Sequence, residues 1–394
     1  MTTGPADIDA PAAAHLGWRA VVAVGGTAIL AILSLSVHVA PRSMGMFPLI
    51  IGATEFSPFL VLLDLLWCLP ANRLLRAHKG LRAATIATLI AGAGLAVIPL
   101  TEFTRAAADA SAQLGTEEAQ PQYSLLTSLR GLPAAVGVRE RAVPYRAADG
   151  SPLVMRLFSM ASATAQPVVV VLYGGAWRGG DASQCADVSR ALASRGFVVA
   201  AIDYRHAPAS RFPAQLLDIR ASLALLRDSS ASWHIDPARI ALLGRSSGGH
   251  LAELAAFSPG DVPLKAVVAL YAPYDLAEGY RDLPSPDPIG VQAVLSNFIG
   301  GTPSTMAAAY HDASPASFVR AGLPPTLYVI AGKDHVVKPE FNRRAASDLR
   351  RVHVPVVVAE VPWAEHGFDM ARGGLGSQLA FAVVRSFLDR ELHP

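Results

Sequence analysis

Cysteine is nearly absent from this chain: there are two in 394 residues, Cys68 at the end of an apolar run and Cys185 in a segment of helical pattern. A disulfide framework needs pairs, and a metal site needs Cys, His or carboxylates clustered at short spacing, so neither is expected. Both cysteines read as packing residues. Charge is also scarce. Asp, Glu, Lys and Arg make up 16% of the residues, the formal net charge is +2, and no tract concentrates the basic side chains, which excludes a nucleic-acid signature. Against that low charge stands an apolar content of 52%, which directs attention to a membrane part.

Three apolar stretches fill the first hundred residues, at about 20–39, 47–69 and 83–100. Each approaches the ~20 residues that a helix needs to cross a hydrocarbon core. The leader MTTGPADIDAPAAAHLGW is acidic where a cleavable signal would be basic, so residues 1–100 read as an all-α transmembrane module of three helices. Arg73, Arg76, Lys79 and Arg82 lie between the second and third stretches, whereas the first turn holds only Arg42. Basic loops stay in the cytoplasm, which places the N-terminus inside and everything after Leu100 on the extracytoplasmic side. Glu55 and Asp64 fall within the second stretch. Intramembrane acids are costly and are functional candidates by default; the structural alternative has Asp64 reaching the basic interface and Glu55 neutral or bonded between helices.

Residues 101–122 are polar and Ala-rich and read as a linker or a loosely held helix, leaving 123–394 as one soluble domain. In that domain the runs RLFSM, PVVVVLYG, FVVAAIDY, RIALLG, KAVVALYAP, PTLYVIAG and VPVVVAEVP are short and β-branched, with helical patterns between most of them. Continuous apolar strands alternating with helices predict an α/β domain with a mostly parallel sheet buried on both faces. Functional groups then collect at the carboxyl ends of the strands.

Gly244, Ser246 and Gly248 form a G-x-S-x-G pattern directly after RIALLG and before a helical segment. That is the strand–turn–helix of a nucleophile elbow, in which the serine backbone is strained and its neighbours two residues away must lack side chains. Ser246 meets the condition. Ser247 does not, because Arg245 would occupy a glycine position. A serine hydroxyl needs a base, and in elbow enzymes the acid and then the histidine follow the serine in the chain. Of eleven histidines, His366 sits on a loop just after VPVVVAEVP, and Asp334 follows PTLYVIAG as the acid that would orient it. Glu365 and Asp369 flank His366 as rival acids. The glycines of VVVVLYGGAWRGG follow a buried strand, and the candidate oxyanion donors are the N–H groups of Gly175, Ala176 and Ser247.

With these segments in order, the chain from about Val143 onward resembles the α/β-hydrolase superfamily, and within it the hormone-sensitive-lipase-like and feruloyl-esterase-like carboxylesterases. The resemblance rests on LYGGAW, DYRHAPASRFPAQLLD, DPARIALLGRSSGGHLA, LPPTLYVIAGKDHVV and AEHGF. Where the family usually has His-Gly-Gly this chain has Tyr173-Gly174-Gly175-Ala176, a variation similar to that of isoprenylcysteine methylesterases, and Arg245 stands where Asp or Gln is common. The resemblance implies that Asp203, Tyr204 and His206 brace the loop beneath the site. It also implies that residues 277–315 form part of a substrate wall, to which Phe298, Ile299 and Tyr310, together with Tyr173 and Trp177, are candidate contributors.

The expectation is a membrane-anchored serine carboxylesterase acting on a small-molecule or lipid ester without metal or organic cofactor. Alternatives with the same residues are an acyltransferase, in which another alcohol replaces water, and a hydrolase fold kept as a non-catalytic binding module. A further alternative makes the helical module a transporter or sensor with Glu55 at its centre.

Overall fold

The computed structural model describes residues 17–115, 120–131 and 135–393; most of the acidic leader and residues 116–119 of the expected linker lie outside them. Among the described residues eight strands form one sheet: β1 (Arg139–Arg146), β2 (Pro152–Ser159), β3 (Gln166–Leu172), β4 (Val198–Ile202), β5 (Ile235–Arg245), β6 (Ala266–Leu270), β7 (Thr326–Ala331) and β8 (Val356–Val361). Their spatial order is β1-β2-β4-β3-β5-β6-β7-β8. β2 runs antiparallel to both β1 and β4, and every other pairing is parallel. All residues of β4, β6 and β7 are buried, as expected of strands covered on both faces.

The N-terminal part holds α1 (Trp18–Ser36), α2 (Phe47–Glu55), α3 (Ser57–Leu74), α4 (Lys79–Ala96) and α5 (Ile98–Leu114). α1, α3 and α4 pack on one another, with Leu62, Leu63, Leu65, Leu66 and Leu69 of α3 among the apolar side chains left facing outward. Among the described residues two helices are long and apolar enough to cross a membrane, Trp18–Ser36 and the nearly continuous Lys79–Leu114. The expected second span differs from the sequence reading: α2 and α3 are bent by 73°, and together they would count as one further span. Two local features explain the break. Pro58 sits in the first turn of α3, where its missing N–H is tolerated, and Glu55 at the end of α2 is tied to the sheet domain rather than to another span.

Asp64 also differs from expectation. It does not reach the basic interface but accepts a hydrogen bond from Ser34 Oγ at 2.8 Å inside the helix bundle, pressed against Gly92. The segment expected to be a linker is the greater part of α5. Phe103, Ala106, Ala107, Ala110 and Leu114 of this helix join the core of the sheet domain. Gln113 closes the edge of β8 as a strand would, its amide nitrogen donating to Val358 O at 2.9 Å and its oxygen accepting from Val358 N at 2.9 Å. An open strand edge is a template for unwanted pairing, and α5 covers it.

Six further helices matter to the site: α6 (Ala186–Ala193), α7 (Ala214–Asp228), α8 (Ser247–Phe257), α9 (Val291–Ile299), α10 (Pro339–Arg351) and α11 (Leu375–Leu392). The parallel strands β5, β7 and β8 end on the same side of the sheet. The loops that leave these ends carry Ser246, Asp334 and His366.

Candidate active site

Ser246 stands between the last residue of β5 and the first of α8 with φ 52° and ψ −126°, a conformation that L-residues rarely adopt. The turn is this sharp because its neighbours carry no Cβ. A Cβ on Gly244 would lie 2.1 Å from Gly248 O, and one on Gly248 would lie 2.3 Å from Tyr173 O. Ser246 N–H donates to Leu270 O at 2.9 Å and His250 N–H to Ser246 O at 3.0 Å, so the strained residue is held from both sides.

His366 Nε2 lies 2.9 Å from Ser246 Oγ, and its Nδ1 lies 2.7 Å from Asp334 Oδ2. Asp334 is itself immobilised, its Oδ1 accepting from the N–H groups of Val336 at 2.7 Å and Val337 at 2.8 Å. The rival acids are engaged elsewhere. Glu365 accepts from His335, at 2.8 Å from its N–H and 2.6 Å from Nδ1, and Asp369 accepts from Arg245 Nη1 at 2.9 Å and from Tyr271 Oη. Burial alone would push the His366 imidazole toward its neutral form, but the charge and hydrogen bond of Asp334, with Glu365 and Asp369 nearby, outweigh it and raise its pKa above the ordinary value.

Arg245, unusual in its position, lies buried under the elbow between Asp369 and Cys185 Sγ, the latter at 3.1 Å. A buried guanidinium left alone would be strongly destabilising; here it is matched by one carboxylate. Cys185, at the start of α6, fills the other side of this contact.

Beside the serine, Gly175, Ala176 and Trp177 all have positive φ, which turns the backbone after β3 back on itself. Among the described residues no acceptor takes the N–H of Gly175, Ala176 or Ser247. The loop is braced from below. Tyr204 stacks on Tyr173 at 4.5 Å and donates its hydroxyl to Tyr173 O at 2.9 Å, His206 Nε2 is 2.9 Å from Tyr173 Oη, and Asp203 accepts from Ala182 N at 2.7 Å. His250 is buried and its pKa is pushed down to about 4 by that burial, so it is neutral. Its Nε2 lies 2.7 Å from Ala313 O while its Nδ1 accepts from Trp177 Nε1 at 3.2 Å, a pairing that fixes one tautomer and the Trp177 ring together.

Two cavities meet at Ser246. A narrow apolar pocket of about 60 Å³ runs under Trp177 to Leu276, Val294, Leu295 and Phe341. A wide cleft of about 720 Å³ passes His366, Gly175 and Tyr271 and is also lined by Met44, Phe47, Ile51 and Phe56 of the N-terminal part. Of the candidate substrate residues only Trp177 lines either cavity. Tyr173, Phe298, Ile299 and Tyr310 are buried in the core: Phe298 stacks behind Trp177 at 4.4 Å, and Tyr310 donates its hydroxyl to Gly301 O at 3.1 Å. Residues 277–315 do contribute a wall, but through Ile289, Val291, Val294 and Leu295. These residues and those of α2 are plain apolar side chains, and no local sequence signal separates them from core.

The strand order, the elbow after β5 and the loops after β7 and β8 define an α/β-hydrolase fold preceded by apolar helices. Residues 157–349 match the BD-FAE family model. The chain is 31% identical over 231 residues to the probable carboxylic ester hydrolase LipM of Mycobacterium tuberculosis, covering 55% of this chain and 53% of that protein. It is 32% identical over 237 residues to esterase LipC of the same organism, covering 55% and 57%. The chain thus spans little more than half the length of these curated relatives. Among solved structures, a bacterial heroin esterase superposes with a TM-score of 0.59 at 24% identity, over 74% of this chain and 92% of that one, a likeness of fold.

Proposed function

We propose that the protein is a membrane-anchored serine carboxylesterase. The observation that carries this reading is the unbroken contact from Asp334 through His366 to Ser246, beside three N–H groups that no acceptor takes among the described residues. Homology to esterases and the α/β-hydrolase fold support the same activity. His366 Nε2 removes the proton of Ser246 Oγ as this oxygen attacks the ester carbonyl. The developing oxyanion is received by the N–H groups of Gly175, Ala176 and Ser247, where each donor contributes about 2.7–4 kcal/mol of transition-state stabilisation. The C–O bond to the alcohol breaks and His366 returns its proton to the departing oxygen. Water, deprotonated by the same imidazole, then releases the acid and restores Ser246. Asp334 holds the tautomer and stabilises the imidazolium throughout.

The apolar helices are the anchor. Their orientation follows from where the charges lie: Lys333 Nζ of the hydrolase domain donates to Val37 O at the end of α1 at 3.2 Å, while Arg73, Lys79 and Arg82 sit at the opposite end of the bundle. With basic residues on the cytoplasmic side, the N-terminus is cytoplasmic and the hydrolase domain extracytoplasmic. The test of the activity is hydrolysis of p-nitrophenyl acetate by the detergent-solubilised protein beside Ser246→Ala. Turnover that disappears in the variant supports the esterase, and equal background rates in both refute it.

A further inference from the structure

The two cavities at Ser246 are unequal, and only one of them touches the base. His366 lines the wide cleft, whereas the narrow pocket is lined by Ser246 and Ser247 but not by His366. This asymmetry assigns the two halves of an ester. In acyl transfer the departing alcohol oxygen must come within hydrogen-bond reach of the imidazole that protonates it, so the alcohol occupies the cavity that His366 lines and the acyl group occupies the other.

Size then limits the acyl group. An enclosed apolar cavity of roughly 150 Å³ holds one benzene ring, so a pocket of about 60 Å³ has room for about two to four carbons. Buried Leu276, Val294 and Leu295 line it. The alcohol side has an order of magnitude more space, and its outer wall is Phe47 and Ile51 of α2 with Phe56 at the bend into α3. α3, which is in contact with α2, presents Leu62, Leu66 and Leu69 outward.

Resting on the esterase reading above, we infer that the substrate is a short-acyl ester of a large lipophilic alcohol, taken from the membrane surface along α2. Ser246 takes the acetyl-sized acyl group, the C–O bond to the lipid alcohol breaks, and the alcohol leaves protonated by His366 into the cleft toward the bilayer. Water then frees the short acid from Ser246.

The experiment compares two esters of matched overall size in detergent–lipid micelles, hexadecyl acetate and ethyl hexadecanoate, with p-nitrophenyl acetate and Ser246→Ala as controls. The expected result is a kcat/KM at least tenfold higher for hexadecyl acetate. Preference for ethyl hexadecanoate, with p-nitrophenyl acetate still hydrolysed in a Ser246-dependent way, overturns the assignment and leaves the esterase standing. Failure to hydrolyse p-nitrophenyl acetate at all removes both. Two variants test the walls by ratios taken within one preparation, which a partial loss of folded protein does not alter. Leu295→Ala raises the octanoate-to-acetate ratio for p-nitrophenyl esters at least fivefold, and Ile51→Trp lowers the hexadecyl-to-ethyl acetate ratio at least fivefold. Unchanged ratios in both contradict the assignment.

Discussion

Glu55 and Ser377 are 322 positions apart, and the carboxylate of one accepts the backbone N–H of the other at 3.0 Å. Glu55 ends α2, and Ser377 lies in the first turn of α11. The fit around the carboxylate is close enough that a Cβ on Gly374 would stand 2.4 Å from Glu55 Oε2. An acid that the sequence places inside an expected span therefore binds the helix that forms one wall of the wide cleft to the domain carrying His366. Its position at the joint gives it a structural task that needs no transport or sensing role.

That task makes opposite predictions for two substitutions. Glu55→Gln keeps the acceptor oxygen and the shape, and is expected to retain activity and thermal stability. Glu55→Ala leaves the Ser377 N–H buried without a partner, at a cost of about 1–3 kcal/mol. Thermal inactivation of the detergent-solubilised protein measures both, and equal behaviour of the two variants contradicts the joint.

In the proposed mechanism the raised pKa of His366 sets the acid limb of the pH–rate profile. The base works only as neutral imidazole, so kcat/KM falls as pH drops through a pKa above the ordinary histidine value of 6.5. Asp334→Asn removes the charge chiefly responsible for the rise and leaves burial to push the other way. The acid limb then moves to lower pH while kcat falls by about 10⁴-fold, the loss typical of a triad whose histidine is held in the wrong tautomer. A profile that keeps its midpoint in the variant contradicts the assignment of Asp334.

The sequence makes some of this architecture legible and hides the rest for identifiable reasons. β3, β4, β6 and β7 are apolar runs because both sheet faces are covered. β1 escapes notice because it is an edge strand, RERAVPYR, in which Tyr145 alone is fully buried. Glycine spacing and chain order direct attention to Ser246, Asp334 and His366, which the fold brings into contact. The bend at Phe56 is hidden inside a continuous apolar run, and the polar surface of α5 conceals the five-residue stripe that seals β8. Trp177 lines the pocket while Phe298 and Tyr310 do not, a difference set by which side of α9 and its neighbours faces Ser246. Local pattern carries no record of that.

Glu253, on α8 beneath the elbow, links stability to pH. Burial pushes its pKa up to about 8 against an ordinary 4.5, and Tyr328 Oη donates to it at 2.5 Å. The folded protein therefore holds a proton that the unfolded chain has lost across this window. Stability is greatest below the lower value and declines as pH rises toward about 8. Glu253→Gln keeps the acceptor for Tyr328 without the ionisation, so its melting temperature should vary less with pH between those limits than that of the parent. A parallel decline in both proteins would rule out Glu253 as its source.

The most direct test of the account is to trap the acyl-enzyme. The protein is mixed with p-nitrophenyl acetate, quenched in acid during the first turnover, digested and mapped by mass spectrometry. The account predicts acetyl on Ser246, next to an unmodified Ser247, and none on the corresponding peptide of Ser246→Ala. Acetyl on Ser247, or full turnover by Ser246→Ala, would contradict it.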